Sequence, residues 1–198
     1  MSIHAQALSG GFAQPVFDAQ SVFRLLMDGM SRPGTIQNMS IEIDQPPPLG
    51  RAAAAVALTL CDGDTTFWLH ADFRKTPVAE WISFHTGASL SAEKAQATFA
   101  FMRASAGICS FDLFASVTQE YPDRSATIVI EVAAIGEGRP LTLSGPGIRD
   151  QVTIQVDGLP ELFDDVWQAN RALFPRGVDV ILSAGQHLLC LPRTTNIA

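Results

Sequence analysis

The chain predicts an α/β fold, a mixed β-sheet flanked by helices in a three-layer arrangement. Three features of the sequence predict it. Helical and strand periodicities are intermixed along the chain, with β-α crossovers. The β-branched apolar run over residues 127–135 has the composition of a central strand buried on both faces, and the C-terminal segment closes as a hairpin. Hydrophobic residues at 47% and charged residues at 17% over 198 residues provide for a real core. No internal repeat or composition break marks a boundary, so residues 15–198 read as one domain behind a flexible leader, 1–14, that contains Ser9-Gly10-Gly11 and no periodicity.

The first strong element is a helix. Asp18 is its predicted N-cap, and Val22, Phe23, Leu26, Met27 and Met30 recur at helical spacing as one apolar face. Ser31-Arg32-Pro33-Gly34 ends it, because Pro33 biases Arg32 out of the helical region and Gly34 permits a tight turn into a strand over 35–43. The proline-rich 45–50 connector is stiff and extended. Residues 51–60 are Ala-rich and apolar nearly all round, a helix buried on most sides. Asp62-Gly63-Asp64-Thr65 turns into an aromatic strand over 66–70.

Thr76-Pro77 opens the next helix, whose inner face is Val78, Trp81, Ile82 and His85, and Gly87 closes it. A strand follows at 98–102 and a short helix at 110–117. After the 127–135 strand, Gly136-Glu137-Gly138-Arg139 turns into 140–144. Gly145-Pro146-Gly147 makes a second turn, and Val152, Ile154 and Val156 alternate as a half-exposed strand. Pro160 begins a helix with Leu162, Phe163, Val166, Trp167, Asn170, Leu173 and Phe174 inward. The hairpin then pairs 178–183 with 187–191 around Ala184-Gly185-Gln186.

Composition excludes several functions. The net charge is −7 and no Lys/Arg run exists, which argues against nucleic-acid and anionic-membrane partners. The N-terminal residues lack the pattern of a signal peptide, and the longest apolar run, 52–61, is too short to span a bilayer, so a cytoplasmic protein is expected. Cys61, Cys109 and Cys190 have no C-x-x-C spacing and read as buried, reduced thiols. Four histidines, His4, His70, His85 and His187, lie far apart without an i,i+4 partner, and no metal site is expected.

Eleven of the thirteen basic residues are arginines, a usage suited to fixed ion pairs and oxyanion recognition. Arg32, Arg176 and Arg193 each adjoin a proline at an element end. They and Thr194 are the candidate anion donors; each arginine can equally serve as an ion pair or solvate its turn. Asp64 is a weaker candidate, since its turn lacks the further ligands of a calcium loop. His85, on an apolar stripe at a helix C-terminus, is either a hydrogen-bonded core histidine or a general base.

The run from Phe23 to Ile36 resembles the H subunit of the carbon–phosphorus lyase system for phosphonate use, the PhnH family. Cys61-Asp62-Gly63-Asp64-Thr65, Phe84-His85-Thr86, Phe174-Pro175-Arg176-Gly177-Val178-Asp179 and Leu191-Pro192-Arg193-Thr194-Thr195 carry the resemblance onward in order. The stretch 88–119 carries none of it. The resemblance implies a fold related to pyridoxal-phosphate transferases that has lost its cofactor. Consistent with that loss, Lys75 and Lys94 sit in polar sequence settings unsuited to a Schiff base. It further implies an accessory subunit of the core complex with the G, I and J subunits (PhnG, PhnI and PhnJ), and a homodimer in isolation with a small anionic ligand at its interface. There it would support formation of ribose 1-methylphosphonate 5-triphosphate from ATP and an alkylphosphonate. A stand-alone transferase or hydrolase on an anionic metabolite, and a ligand-free interaction subunit, are the alternatives.

Overall fold

The computed structural model describes residues 8–108, 110–114 and 125–198. A seven-stranded mixed sheet forms the middle layer. Its strands are β2 (Gln37–Asn38), β4 (Thr66–Leu69), β5 (Ser89–Leu90), β6 (Phe99–Arg103), β7 (Thr127–Glu131), β10 (Asp179–Ala184) and β11 (His187–Leu191), in the order β2-β11-β10-β7-β6-β4-β5. The five from β10 to β5 are parallel, and β11 runs antiparallel to both its neighbours. The α/β class and the mixed sheet are as the sequence predicts.

Helices cover one face: α1 (Pro15–Ser31), α2 (Arg51–Leu60), the single-turn α3 (Ala71–Arg74) and α4 (Val78–Thr86). Val22, Leu26, Ala52 to Ala57, Trp81 and Ile82 meet Phe67, Phe101, Val129 and Ile181 there. The other face differs from the helical layer the sequence suggests. It is covered by a three-stranded sheet, β12 (Asn196–Ile197), β8 (Ala134–Ser144) and β9 (Val152–Asp157), together with α5 (Phe163–Ala172). Leu141, Leu143, Val156, Phe163 and Trp167 pack on Ile128, Ile130, Val180 and Leu182.

α2 follows its sequence closely, with Ala52 to Ala57 all buried. α4 does too: Gly87 at φ 78° supplies the left-handed C-cap that a residue with a Cβ resists. α1 departs in two ways. It starts at Pro15, whose ring suits the first helical position, and Asp18 reaches back to accept from the Gln14 N–H at 2.8 Å. Its buried face is Val22, Leu26 and Gly29, so Phe23 and Met27 are exposed. Gly29 sets that rotation. A Cβ there would stand 2.8 Å from Cys190 Sγ, so only glycine lets α1 lie this close to β11.

Four further segments depart from expectation. The 35–43 strand is two short pairings, because β2 joins β11 while β3 (Ile43–Asp44) joins β1 (Gly11–Phe12). The 127–135 strand is broken after Glu131, where the chain leaves one sheet and enters the other. Gly136 and Gly138, at φ 104° and 98°, form a bulge inside β8 instead of a turn. The helix expected from Pro160 starts at Phe163, which leaves Leu162 and Phe174 exposed.

Residues 8–14 of the expected leader are fixed, since β1 is paired and the Ser9 carbonyl accepts from Trp81 Nε1 at 3.1 Å. Residues 110–114 make turns, and 1–7, Cys109 and 115–124 lie outside the described residues, with the rest of the 110–117 helix. Cys61 and Cys190 are buried and free, and burial pushes both thiols up to about 12. Among the described residues no helix is long and apolar enough to cross a membrane.

Candidate functional site

The candidate arginines gather at the amino end of the parallel strands. Asp179 opens β10 and holds Arg193 in a two-pronged ion pair, Nε to Oδ1 at 3.1 Å and Nη2 to Oδ2 at 2.5 Å. The Arg193 Nη1 donates to Ser125 Oγ at 2.8 Å and to the Pro175 carbonyl at 3.2 Å. That carbonyl immediately precedes Arg176, so these two corners adjoin. The Gly145-Pro146-Gly147 turn links them to the third: Gly145 lies against the Thr194 carbonyl, and Gly147 against the Ser31 carbonyl and Pro33.

The three corners therefore share one side of the molecule, but their guanidiniums have different duties. Arg193 points inward and is largely buried. Arg32 is exposed and bonds Asp28 one turn back, which holds the Asp28 carboxyl below the usual carboxylate range. Arg176 is exposed, with no ion-pair partner among the described residues. Thr194 is half-buried. Arg32 and Arg176 are thus the two whose charge reaches solvent.

Asp64 and His85 lie elsewhere. Asp64 is exposed in a turn that its own backbone N–H closes on Asp62 Oδ1 at 3.0 Å, and Gly63 of that turn packs beside Gly87 at the end of α4. The His85 ring lies 4.9 Å from Trp81 and 5.0 Å from Phe84 between centroids, with Nε2 3.3 Å from the Ser9 carbonyl and Gly11 packed on the ring. Lys75 is exposed. Lys94 is not in the polar setting its neighbours suggest, because its Nζ stands 4.9 Å over the Trp68 ring and 5.2 Å over that of Phe114. Among the described residues no three His, Cys, Asp or Glu gather closely enough to hold a metal ion.

The opposite, carboxyl end of the sheet carries a cleft that the sequence reading missed. Arg103 ends β6 and Glu131 ends β7, and the two are paired directly across the parallel ladder. Arg103 Nε donates to Glu131 Oε2 at 3.2 Å, and Nη2 donates to the Pro48 carbonyl at 2.7 Å. Glu131 Oε1 accepts from the Gly50 N–H at 2.5 Å, immediately before α2 begins. Two cavities, of about 240 and about 170 Å³, share Arg103, Glu131 and Val132 as their common wall. The lining is otherwise small, including Ala104, Ser105, Ala133, Gly158 and Ser183.

A signal for this pair was present in the sequence. Each of two apolar strand runs carries one charge, Arg103 after Met102 in the first and Glu131 within the second, and parallel pairing can bring such charges together.

Burial raises the Glu131 carboxyl above its ordinary value despite the Gly50 and Arg103 donors. A carboxylate whose native pKa is raised binds more protons folded than unfolded. Stability therefore falls as pH rises from about 4.5 through the raised value. Glu131→Gln, which keeps an acceptor for Gly50, is expected to flatten that slope. Urea unfolding across this window checks it; an unchanged slope would mean that Glu131 is not the group titrating.

The comparisons with known proteins bear on the whole chain. The family described as bacterial phosphonate metabolism protein (PhnH) matches residues 10–198. The alpha-D-ribose 1-methylphosphonate 5-triphosphate synthase subunit PhnH of Rhizobium meliloti (strain 1021) is 52% identical over 197 residues, covering 100% of this chain and 98% of that protein. HtxG of Stutzerimonas stutzeri, provisionally named a C-P lyase subunit protein, is 44% identical over 82 residues, 39% of this chain and 40% of its own length. A match of this extent, running through both layers that flank the sheet and through both ends of it, places the chain in the PhnH family of bacterial phosphonate metabolism proteins.

Proposed function

We propose that this chain is an accessory subunit of the carbon–phosphorus lyase core complex. It supports formation of alpha-D-ribose 1-methylphosphonate 5-triphosphate from ATP and an alkylphosphonate, with the G, I and J subunits as its partners. The observation that carries this reading is the 52% identity to the Rhizobium meliloti subunit over essentially both full lengths. In this reading the chain's role is that of an accessory subunit, and His85 is a structural histidine that leans on a backbone carbonyl and two aromatic rings.

Three finer features belong to the same reading. The sheet is that of a pyridoxal-phosphate transferase relative without the cofactor; the five-strand parallel run beside one antiparallel strand supports the likeness, and the exposed position of Lys75 supports the loss. The isolated chain is a cytoplasmic homodimer. Val16, Phe17, Phe23 and Met27 are exposed along α1, an apolar surface of the kind that a second chain covers. Arg32 and Arg176, with Thr194 beside them and Arg193 bracing the corner, offer positive charge to a partner or to an anionic ligand.

Co-expression of the tagged chain with the host's G, I and J subunits, read by native mass spectrometry, tests the assignment. Co-purification in one defined assembly is expected. A chain that stays alone while the other three assemble would overturn it.

A further inference from the structure

The five parallel strands have, in chain order, the arrangement 2-1-3-4-5 across the sheet, with β4 first, β5 second and β6 third. The order reverses between β4 and β6. In open α/β sheets ligands bind outside the carboxyl ends of the strands at such a reversal. Arg103 is the carboxyl end of β6, and its guanidinium carbon lies 5.9 Å from the ring centre of Phe73, which follows β4. The Arg103–Glu131 cleft therefore opens beside the reversal.

Its chemistry is that of a recognition site more than of a sealed ion pair. The Glu131 side chain retains only 13% of its exposure and stands between two open cavities, while that of Arg103 retains 39%. Among the described residues Arg103 Nη1 makes no hydrogen bond, so one corner of the guanidinium remains available. Ala and Gly around the pair leave room for a ligand to reach both groups, and the cavities admit a metabolite smaller than a typical drug.

A simple anion would meet Glu131 repulsively, and a simple cation would meet Arg103. A molecule with an oxyanion at one end and a hydroxyl or ammonium donor at the other satisfies both. We propose that the cleft binds a small organophosphonate bearing such a donor arm, the phosphonate on Arg103 and the donor on Glu131. The choice of phosphonate over other oxyanions rests on the function proposed above; the oxyanion-plus-donor pattern rests on the cleft alone.

Isothermal titration of the purified full-length chain with 2-aminoethylphosphonate, methylphosphonate and β-alanine tests it. Saturable binding of 2-aminoethylphosphonate is expected, with methylphosphonate, which lacks the donor, at least about tenfold weaker. Ala133→Phe places a ring in the larger cavity from an exposed position, and Arg103→Gln removes the charge. Each is expected to abolish binding, and Glu131→Gln to shrink the preference over methylphosphonate. Circular dichroism of each variant confirms its fold, and Ala133→Phe, farthest from the core, keeps the test open if Arg103→Gln unfolds. Absence of saturable binding up to about 10 mM, or binding that survives Ala133→Phe, would overturn the site. Equal affinity for β-alanine would overturn the phosphonate assignment. A chain that joins the G, I and J assembly yet binds none of the probes would overturn this inference and leave the subunit role standing.

Discussion

Arg193→Ala is expected to lower the unfolding free energy by about 3 kcal/mol, the range for breaking a buried ion pair by removing one partner. The physical reason is the position of Asp179. Its carboxylate accepts from the Arg193 backbone N–H at 2.7 Å as well as from the guanidinium, at the first residue of a strand in the middle of the sheet. Without the arginine that charge stays largely buried, and Ser125 and the Pro175 carbonyl lose their donor. Asp179→Ala combined with Arg193→Ala is expected to cost less than the sum of the two, because neither charge is then left alone. Urea unfolding of the three variants gives the coupling. A single-variant loss below about 1 kcal/mol, the scale of a surface pair, would show that the Arg193–Asp179 pair is not a buried structural tie. The consequence for function is practical: an alanine at Arg193 confounds any binding experiment, while Arg32 and Arg176 can be replaced at the surface.

Trp167→Ala is expected to cost about 4 kcal/mol. Trp167 is fully buried on α5, its ring stacks on Phe163 at 6.3 Å, and Nε1 donates to the Thr195 carbonyl at 2.9 Å. That bond ties the C-terminal Leu191-Pro192-Arg193-Thr194-Thr195 segment to the layer beneath it. Trp167→Phe retains most of the volume and removes the donor, so a loss of about 1–2 kcal/mol is expected. Similar losses for the two variants, measured by urea unfolding, would mean that the hydrogen bond rather than the volume holds this layer.

The elements legible in the sequence were those whose period and stop signals agreed locally. α2 has an unbroken small apolar run, α4 has Thr76-Pro77 and a left-handed Gly87, and the C-terminal hairpin has Gly185 in its turn. α1 was legible as a helix but not in its orientation. Val22 with Leu26, and Phe23 with Met27, are both apolar stripes, and what buries the first is the close approach that Gly29 permits against Cys190. The break after Glu131 was hidden because apolar residues resume at Val132 and continue to Ile135 while the strand's partners change.

The candidate site shows the same division. Proline and glycine beside Arg32, Arg176 and Arg193 marked stiff corners correctly, and all three lie on one side. Nothing local distinguishes an arginine facing solvent from one locked on Asp179, fourteen residues away. Arg103 and Glu131 are 28 residues apart and meet only through strand register, which no single stretch of sequence encodes.

The central claim is that this PhnH-family chain is needed for phosphonate activation. Its most direct test is reconstitution of alpha-D-ribose 1-methylphosphonate 5-triphosphate synthesis from ATP and methylphosphonate with the host's G, I and J subunits. The reaction is run with and without this chain and read by phosphorus NMR. Product formed only when the chain is present is the predicted result. Equal product in its absence would contradict the account.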